Sequence, residues 1–299
     1  MWFKNLKLFR LAPEWQPSLE AFESALEKHP FQPAGRQSMQ SLGWVSPTED
    51  GTLAYVQEGQ RLISLRTEKK LLPSTVINQV AREKAQEIEA QQGYKPGRKQ
   101  MKEIKEQVAD ELLPRAFSLC RDTRVWFDMR NHWLVIDAAS AAKSDEVLGL
   151  LAKTMDPFPI LPLATQMAPS TAMTDWVLSE APPAGFTVDQ EAELRSSGES
   201  RAAVRYVRQS LDPEEIQRHV QAGKQCTRLA LTWADKVSFV MTDTLDIKRV
   251  APLDVLQENA PPAAPDAREQ FDADFTLMTG ELSKLLDNMV TALGGFHKL

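Results

Sequence analysis

The stretch Gln91-Gln92-Gly93-Tyr94-Lys95-Pro96-Gly97-Arg98-Lys99 decides how the middle of this chain folds, because it separates two segments with helical periodicity. Ser74 or Thr75 suits the start of the first helix, Gly93 suits its end, and Pro114 suits the end of the second. Two helices joined by a short loop with glycine and proline predict an antiparallel hairpin. Its apolar faces are Val76, Ile77, Val80, Ala81, Ala85 and Ile88 on the first helix, and Met101, Ile104, Val108 and Leu112 on the second.

The segments that flank the hairpin alternate between apolar and polar residues, which is typical of half-buried strands. Before it, residues 2–11, 43–47 and 60–65 predict strands, with Ser18 capping a helix after the first. Glu49-Asp50-Gly51 suits a turn between the other two. After the hairpin, residues 124–138 predict two strands that turn near Asn131. We therefore expect an α+β fold in which the hairpin projects from a sheet.

The remaining sequence continues this mixture of helices and strands. Residues 181–185 are rich in proline and predict a domain boundary, and residues 260–265 predict a linker. The expected elements are a helix at 145–155 capped by Ser144, a short helix at 174–177, an alternating stretch at 201–208, a helix at 212–222, strands near 227–233, 237–242 and 245–250, and a last helix from Asp274 to about Leu293.

Charge is distributed unevenly along the chain. The net charge is −6, yet residues 66–124 hold thirteen lysine and arginine residues against nine aspartate and glutamate residues, a balance of +4. Segments 1–65, 125–175 and 176–299 carry −1, −3 and −6. A protein that repels polyanions on average, but concentrates positive charge on one projecting element, should bind them through that element. This distribution favours a nucleic-acid backbone over a small substrate.

The second helix of the hairpin carries a basic face, because Arg98, Lys102 and Lys105 fall within about 60° of one another on a helical wheel. An ordinary solvated face remains the alternative. Lysines without a base-reading motif favour phosphate contacts and hence sequence-independent binding. For Tyr94 in the loop, packing is favoured over stacking on a base. The predicted DNA-binding residues are Lys69, Lys70, Arg82, Lys84, Lys95, Arg98, Lys99, Lys102, Lys105 and Arg115.

Catalytic motifs are missing from the sequence. It has no phosphate-binding loop and no HExxH pair, and its four histidines are dispersed. Asp272 and Asp274 could begin a two-metal nuclease site, but capping of the last helix is the favoured interpretation. We therefore predict no catalytic residue, no cofactor and no metal.

Cys120 and Cys226 predict free thiols, and with no signal peptide or apolar span we expect a cytoplasmic protein with no membrane partner.

Four motifs resemble a known family: WFKNL at residues 2–6, GWV at 43–45, LLPRAF at 112–117 and FDADFTLMTGEL at 271–282. On these motifs the chain resembles the recombination-associated RdgC proteins of proteobacteria, from Met1 to about Phe296. The resemblance implies a horseshoe-shaped subunit with antiparallel sheets flanked by helices. Its centre domain would be residues 1–72 and 118–180, its tip domain 73–117 and its base domain 181–299. Two subunits would close into a ring-shaped homodimer, mainly through the bases.

The resemblance also implies a role without catalysis. The ring would encircle double-stranded DNA at the nucleoid, with single-stranded DNA left open as a second ligand, and would restrain the RecA recombinase. The family's motifs place Phe117 at a gate contact of the ring, with Arg208 and Gln209 on the facing side. From the residues alone, Phe117 fits the core or an exposed docking site. Two alternatives stay open: a factor that inhibits the recombinase by protein contact, and a DNA-processing enzyme.

Overall fold

An antiparallel sheet forms the framework of the molecule. The computed structural model describes residues 2–158, 160–198, 202–258 and 266–297, and within them twelve strands join one sheet. The strands are β1 (Asn5–Leu11), β2 (Gln40–Val45), β3 (Tyr55–Gln57), β4 (Gln60–Lys70), β5 (Ser118–Asp128), β6 (Trp133–Asp137), β7 (Ile160–Leu161), β8 (Phe186–Ser196), β9 (Ala203–Val207), β10 (Lys224–Trp233), β11 (Val237–Thr242) and β12 (Ile247–Pro252).

The strand order is β2-β4-β5-β6-β1-β12-β11-β10-β8-β9, with β3 on the edge of β4 and β7 on the edge of β1. Each neighbouring pair of strands is antiparallel, as the alternating sequence pattern predicts. β1 pairs with β12 through Asn5 and Lys248, so the sheet continues from the N-terminal half of the chain into the C-terminal half. The division into centre, tip and base domains stays a prediction.

The described residues contain eight α-helices, six of which pack against this sheet. They are α1 (Leu19–Leu26), α2 (Ser74–Gln92), α3 (Arg98–Leu112), α4 (Ala141–Thr154), α5 (Pro169–Ser179), α6 (Pro213–Gln221), α7 (Asp254–Glu258) and α8 (Ala267–Ala292). A short 3-10 helix, Leu113–Arg115, follows α3. The expectation of an α+β protein with a large antiparallel sheet and flanking helices is confirmed.

The two faces of the sheet pack against different helices. Phe22 of α1 and Leu151 of α4 are fully buried with Phe127 of β5 in one apolar core. On the opposite face, the larger core includes residues of α5, α6 and α8, among them Phe275 and Leu282. Because side chains alternate along a strand, successive residues of β5 enter different cores.

β4 and β5 form a long ribbon that carries the hairpin away from the body. They pair through eleven residue pairs, from Gln60 opposite Asp128 to Lys70 opposite Ser118. The inner end of the ribbon is buried, whereas residues 118–122 are exposed. α2 follows β4 and α3 precedes β5, so the helical hairpin continues from the outer end of the ribbon. The prediction that the hairpin leaves a strand of the sheet and returns to a strand of the same sheet is therefore confirmed.

A buried carboxylate joins the inner end of the ribbon to α8. Asp128 accepts hydrogen bonds from Gln60 Nε2 (3.1 Å), Asn131 Nδ2 (2.9 Å) and Ser283 Oγ (2.5 Å). The backbone amides of Arg130 and Asn131 donate two more, at 3.0 and 3.1 Å. Burial raises the pKa of Asp128, but the hydrogen bonds from Ser283, Asn131 and Gln60 outweigh it and hold the pKa below its usual value.

Two predicted helix caps are wrong. Ser74 is the first residue of α2, and Pro73 occupies the N-cap position without a side-chain hydrogen bond. α4 begins at Ala141, where the Ser140 hydroxyl accepts from the Lys143 amide, so the predicted cap Ser144 lies buried within the helix. In both cases an earlier residue occupies the N-cap position: Pro73 directly before Ser74, and Ser140 four residues before Ser144. The cap at Ser18 is confirmed, with its hydroxyl accepting from the Ala21 amide.

The last helix begins earlier than the sequence pattern predicts. α8 starts at Ala267, and its N-cap is Asp266, whose side chain accepts from the Arg268 amide. Asp272 and Asp274 lie within α8, so the interpretation of these two acids as caps is wrong.

Strands β3 and β8 were not predicted, and β3 lies within the connection expected to be a simple turn. The predicted linker at 260–265 and Arg201 lie outside the described residues.

Candidate nucleic-acid interface

The helical hairpin is held together by a small apolar core. Ala81 of α2 and Ile104 and Val108 of α3 are buried between the helices, with other apolar residues partly buried around them. The nineteen residues of α2 give it a length of about 28 Å. The loop at 93–97 therefore lies far from the sheet, at the free end of the hairpin.

The connecting loop has an ordered backbone. Gly93 adopts the left-handed conformation with φ of 82°, and its amide donates to the Glu89 carbonyl at 2.8 Å, which ends α2. Gln92 Nε2 donates to the Tyr94 carbonyl at 3.0 Å. Gly97 then forms the N-cap of α3 in an extended conformation. These contacts turn the chain directly from one helix into the next.

Positive charge is concentrated at this end of the hairpin. Residues 90–102 contain four cations and no acidic residue. These four cations and Lys105 are exposed. The cations of the first turn of α3 lie at the positive end of its dipole, which is unfavourable for the isolated helix and favourable for a bound anion. The exposed basic residues here are Lys95, Arg98, Lys99, Lys102 and Lys105.

The acidic residues of α3 lie further from the loop. Within the described residues, Lys102 makes one ion pair, with Glu106 at 3.6 Å, and both side chains are largely exposed. Exposed pairs of this kind contribute little, about 0.3–0.5 kcal/mol on a helix. The positive field of the loop end is therefore not cancelled by its neighbours. Because Glu103 and Glu106 directly follow Lys102 and Lys105, an ordinary solvated face stays the alternative for this helix.

Two residues of the predicted DNA-binding set are engaged within the protein. Lys70 is buried, and its Nζ donates to the carbonyls of Arg36 (2.9 Å) and Leu113 (3.0 Å). It cannot reach a phosphate in this arrangement, so its assignment as a DNA contact is corrected. Lys84 Nζ contacts Glu111 at 2.6 Å, and that hydrogen bond lowers the pKa of Glu111. Its charge is thus largely compensated.

The other predicted cations are accessible. Lys69 and Arg115 lie where the hairpin meets the ribbon, and both are exposed. Arg82 is exposed on the outer side of α2. Their exposure leaves all three side chains free to extend the positive surface from the loop toward the sheet. Whether they contact DNA stays a prediction.

A groove at the root of the hairpin contains two cations that were not predicted. It has a volume of about 660 Å³ and is lined by Lys69, Arg121 and Lys143, among others. Lys143 Nζ donates to Thr67 Oγ1 at 2.7 Å and to Glu146 at 2.9 Å. Lys69 and Arg121 lie on one face of the ribbon because odd-numbered residues of β4 and β5 point the same way. That alternation is the signal that could have identified Arg121.

The expected gate residues lie at the surface. Phe117 is 83% exposed, so the alternative that placed it in the core is wrong. Its backbone carbonyl accepts from the Leu71 amide at 2.7 Å, which fixes its position at the end of the ribbon. Leu71 and Leu119 beside it are also exposed, so the patch has three apolar side chains. Patches of this kind often mark docking surfaces.

The residues expected on the facing side of the gate follow β9, the strand at one edge of the sheet. Arg208 and Gln209 follow β9 and are exposed, and Arg208 has a φ of 54°. Beside them, a cavity of about 360 Å³ is lined in part by Trp176, Val188 and Leu211. Its other walls include the polar residues Glu180, Asp189 and Gln190, so the cavity is of mixed character.

The two candidate metal-binding acids do not converge. Asp272 Oδ1 accepts a hydrogen bond from the Tyr55 hydroxyl at 2.5 Å, and Asp274 Oδ1 accepts from Gln270 Nε2 at 2.9 Å. Residues two apart on a helix point about 200° away from each other. Among the described residues, no group of three or more His, Cys, Asp or Glu side chains is placed to hold a metal ion.

The remaining sequence features are simple. Cys120 is exposed and Cys226 is buried, and both are free, as predicted. Burial raises the pKa of the Cys226 thiol to about 12. In the part of the chain that the structure describes, no helix is long and apolar enough to cross a membrane.

Comparison with known proteins covers nearly the whole chain. The family model described as "RdgC: Putative exonuclease, RdgC" matches residues 1–296. A protein of Bordetella parapertussis is 61% identical over 295 residues, which are 99% of both chains. A protein of Cupriavidus necator is 58% identical over 298 residues, covering both chains fully, and one of Janthinobacterium is 57% identical over 99% of this chain and 98% of its own. All three relatives carry the name recombination-associated protein RdgC.

Proposed function

The chain belongs to the RdgC family, and on this basis we propose that it binds DNA without sequence preference and restrains recombination. Two horseshoe-shaped subunits form a symmetric dimer, which closes into a ring around duplex DNA in the cytoplasm. The ring prevents RecA filaments from forming on that duplex. The observation that carries the proposal is the exposed basic end of the hairpin on an otherwise acidic protein. The names of the relatives support the link to recombination.

The binding is electrostatic and centred on the hairpin. Five exposed cations, Lys95, Arg98, Lys99, Lys102 and Lys105, lie at or near its free end. Each phosphate that they neutralise contributes about −0.9 to the slope of log K against log salt concentration. If all five engage, one hairpin contributes a slope of about −4.5. Phosphate contacts carry no sequence information, so the affinity is similar for all duplex sequences.

Ring closure requires a second contact besides the main dimer interface. Two-fold symmetry makes each contact reciprocal. In the proposed gate, the exposed Phe117 of one subunit packs against Trp176, Val188 and Leu211 in the cavity beside Arg208 and Gln209 of its partner. Burial of one phenylalanine stabilises such a contact by about 1.5–3 kcal/mol.

A charge substitution tests the proposal. Changing Arg98, Lys99, Lys102 and Lys105 to alanine should flatten the salt slope of duplex binding by up to about 3.6 for each hairpin that engages the DNA, or about 7.2 for a dimer that uses both. A matched control removes four exposed cations elsewhere, namely Lys28, Lys153, Arg218 and Lys284, and should change the slope little. An unchanged slope in the folded hairpin variant would contradict the assignment.

Binding should not need RecA; a requirement for the recombinase would favour a factor that acts by protein contact.

The description of the family model as an exonuclease favours a second candidate, metal-dependent removal of nucleotides from DNA ends. Such chemistry needs carboxylates that converge on metal ions. End-labelled duplex DNA incubated with the protein and magnesium should remain full length under our proposal. Shortening that is lost in Asp272→Ala would establish the exonuclease instead.

A further inference from the structure

The loop at the free end of the hairpin presents an aromatic side chain that the protein does not use for packing. Tyr94 is 64% exposed, so the expectation that it packs against the loop is wrong. Among the described residues, its ring contacts no other aromatic ring and its hydroxyl makes no hydrogen bond. A single exposed aromatic residue is unremarkable, so its surroundings decide its significance.

The backbone around Tyr94 is held in place although its side chain is not. The Gln92 side chain donates to the Tyr94 carbonyl at 3.0 Å and accepts from Gln100 Nε2 at 3.5 Å. Gly93 and Gly97 set the conformation on either side. Because the backbone is already fixed, a ligand that stacks on the ring has to order only the side chain. Less entropy is therefore lost on binding than with a mobile loop.

The charges around the ring are those of an anion-binding surface. Lys95, Arg98 and Lys99 are exposed within five residues of Tyr94 and make no ion pair among the described residues. An aromatic ring surrounded by unpaired cations matches the two chemical groups of a nucleotide, the flat base and the charged phosphate. An acidic protein surface would also satisfy the cations, but a nucleotide supplies the flat base and the charged phosphate in one repeating unit.

We propose that Tyr94 stacks on an unpaired nucleobase while the cations beside it hold the adjacent phosphates. The ligand class is single-stranded DNA, including gaps and frayed duplex ends, because the faces of bases inside a duplex are already stacked. Every base has a π-face, so the contact does not read sequence. This inference rests on the proposed DNA-binding function and assigns to the same hairpin a second mode of binding.

Binding to a labelled single strand and to a duplex of the same length tests this assignment in the full-length protein. Tyr94→Ala should weaken single-strand binding between about 5-fold and 150-fold, because base stacking on an aromatic residue contributes that much. Duplex binding should change less than about twofold, because no charge is lost. Tyr94→Phe keeps the ring and should bind both forms like wild type. Because the side chain is exposed, the melting temperature should not change.

Photocrosslinking to a single strand containing 5-iodouracil gives a direct readout. The crosslinked residue identified by mass spectrometry should be Tyr94. Single-strand binding that is unchanged in Tyr94→Ala, or equal losses on both DNA forms, would overturn the inference. Failure of the proposed function looks different: the wild-type protein would then bind neither DNA form, and the four-residue hairpin variant would behave like wild type.

Discussion

Substitution of Phe117 by alanine separates ring closure from folding and from phosphate binding. The side chain is 83% exposed in the protomer, so its loss should change the free energy of unfolding by less than about 0.5 kcal/mol. In the proposed ring, each Phe117 docks against the partner. Two docked rings at about 1.5–3 kcal/mol each stabilise the closed state by about 3–6 kcal/mol. The open state should therefore gain two to four orders of magnitude in population.

The assay compares release from circular and linear DNA of equal length. A closed ring can leave linear DNA by sliding off an end, but it must open to leave a circle. Wild type should therefore leave circular DNA much more slowly than linear DNA, and Phe117→Ala should leave both at similar rates. The variant should remain dimeric, because the main dimer contact is separate. Inhibition of RecA strand exchange should weaken in parallel.

A matched control uses Leu19→Ala, which removes another exposed apolar side chain on α1, far along the chain from the ribbon. This variant should release circular DNA like wild type. If Phe117→Ala releases circular DNA as slowly as wild type, Phe117 does not close the ring. If the variant unfolds at a lower temperature, the side chain has a structural role in the dimer that its exposure in the protomer does not reveal.

Three further predictions concern assembly and stability. Light scattering at micromolar concentration should give a mass twice that of the 33.6 kDa chain, because a ring needs two subunits; a monomer mass would refute the ring. Asp128→Asn should lower the free energy of unfolding by about 3 kcal/mol at pH 7. The NH2 group of asparagine cannot accept the hydrogen bonds that one carboxylate oxygen of Asp128 accepts, so their buried donors lose a partner. The pKa of Asp128 is lowered in the folded state, so its contribution is present above its ordinary value of 3.8 and is lost as the pH falls further; denaturant titrations should show the variant and wild type converging in acid. Lys70→Met should destabilise the protein by about 1–3 kcal/mol through the unpaired carbonyls of Leu113 and Arg36, while Lys69→Met should leave the melting temperature unchanged.

The hairpin could be predicted from the sequence because its information is local. Helical periodicity places Ile104 and Val108 on one face, and Gly93 supplies the left-handed residue that ends α2. Both signals depend on residues within a few positions of one another. The cations at the loop end follow directly, because a helix wheel fixes which side chains share a face. The exposure of Tyr94 does not follow, since it depends on how the loop is turned.

Features that depend on pairing between distant residues could not be predicted. Lys70 and Lys69 are adjacent in the sequence, yet one is buried and the other is exposed. Their difference depends on the Leu113 carbonyl, which follows the second helix of the hairpin, 43 residues further along the chain, and accepts from Lys70 Nζ. β8 was missed because its sequence mixes charged residues with few apolar ones, and its position in the sheet supplies the burial that its pattern lacks. In the same way, Arg121 and Lys69 meet because of the register of β4 and β5.

The distribution of charge has a consequence for how the proposed ring would work. Residues 176–299 carry a net charge of −6, so the C-terminal half repels DNA and leaves the hairpin and its root as the favourable path. A single hairpin with about five phosphate contacts binds weakly at physiological salt concentration. Two hairpins in one dimer act at a high effective concentration, so the second contact adds affinity without a new interface. Closure by Phe117 then adds residence time, because release requires the gate to open as well as the phosphate contacts to break. The hairpin cations therefore set the salt dependence of binding, whereas Phe117 sets the difference between release from circular and from linear DNA, so the two sets of substitutions should change different observables.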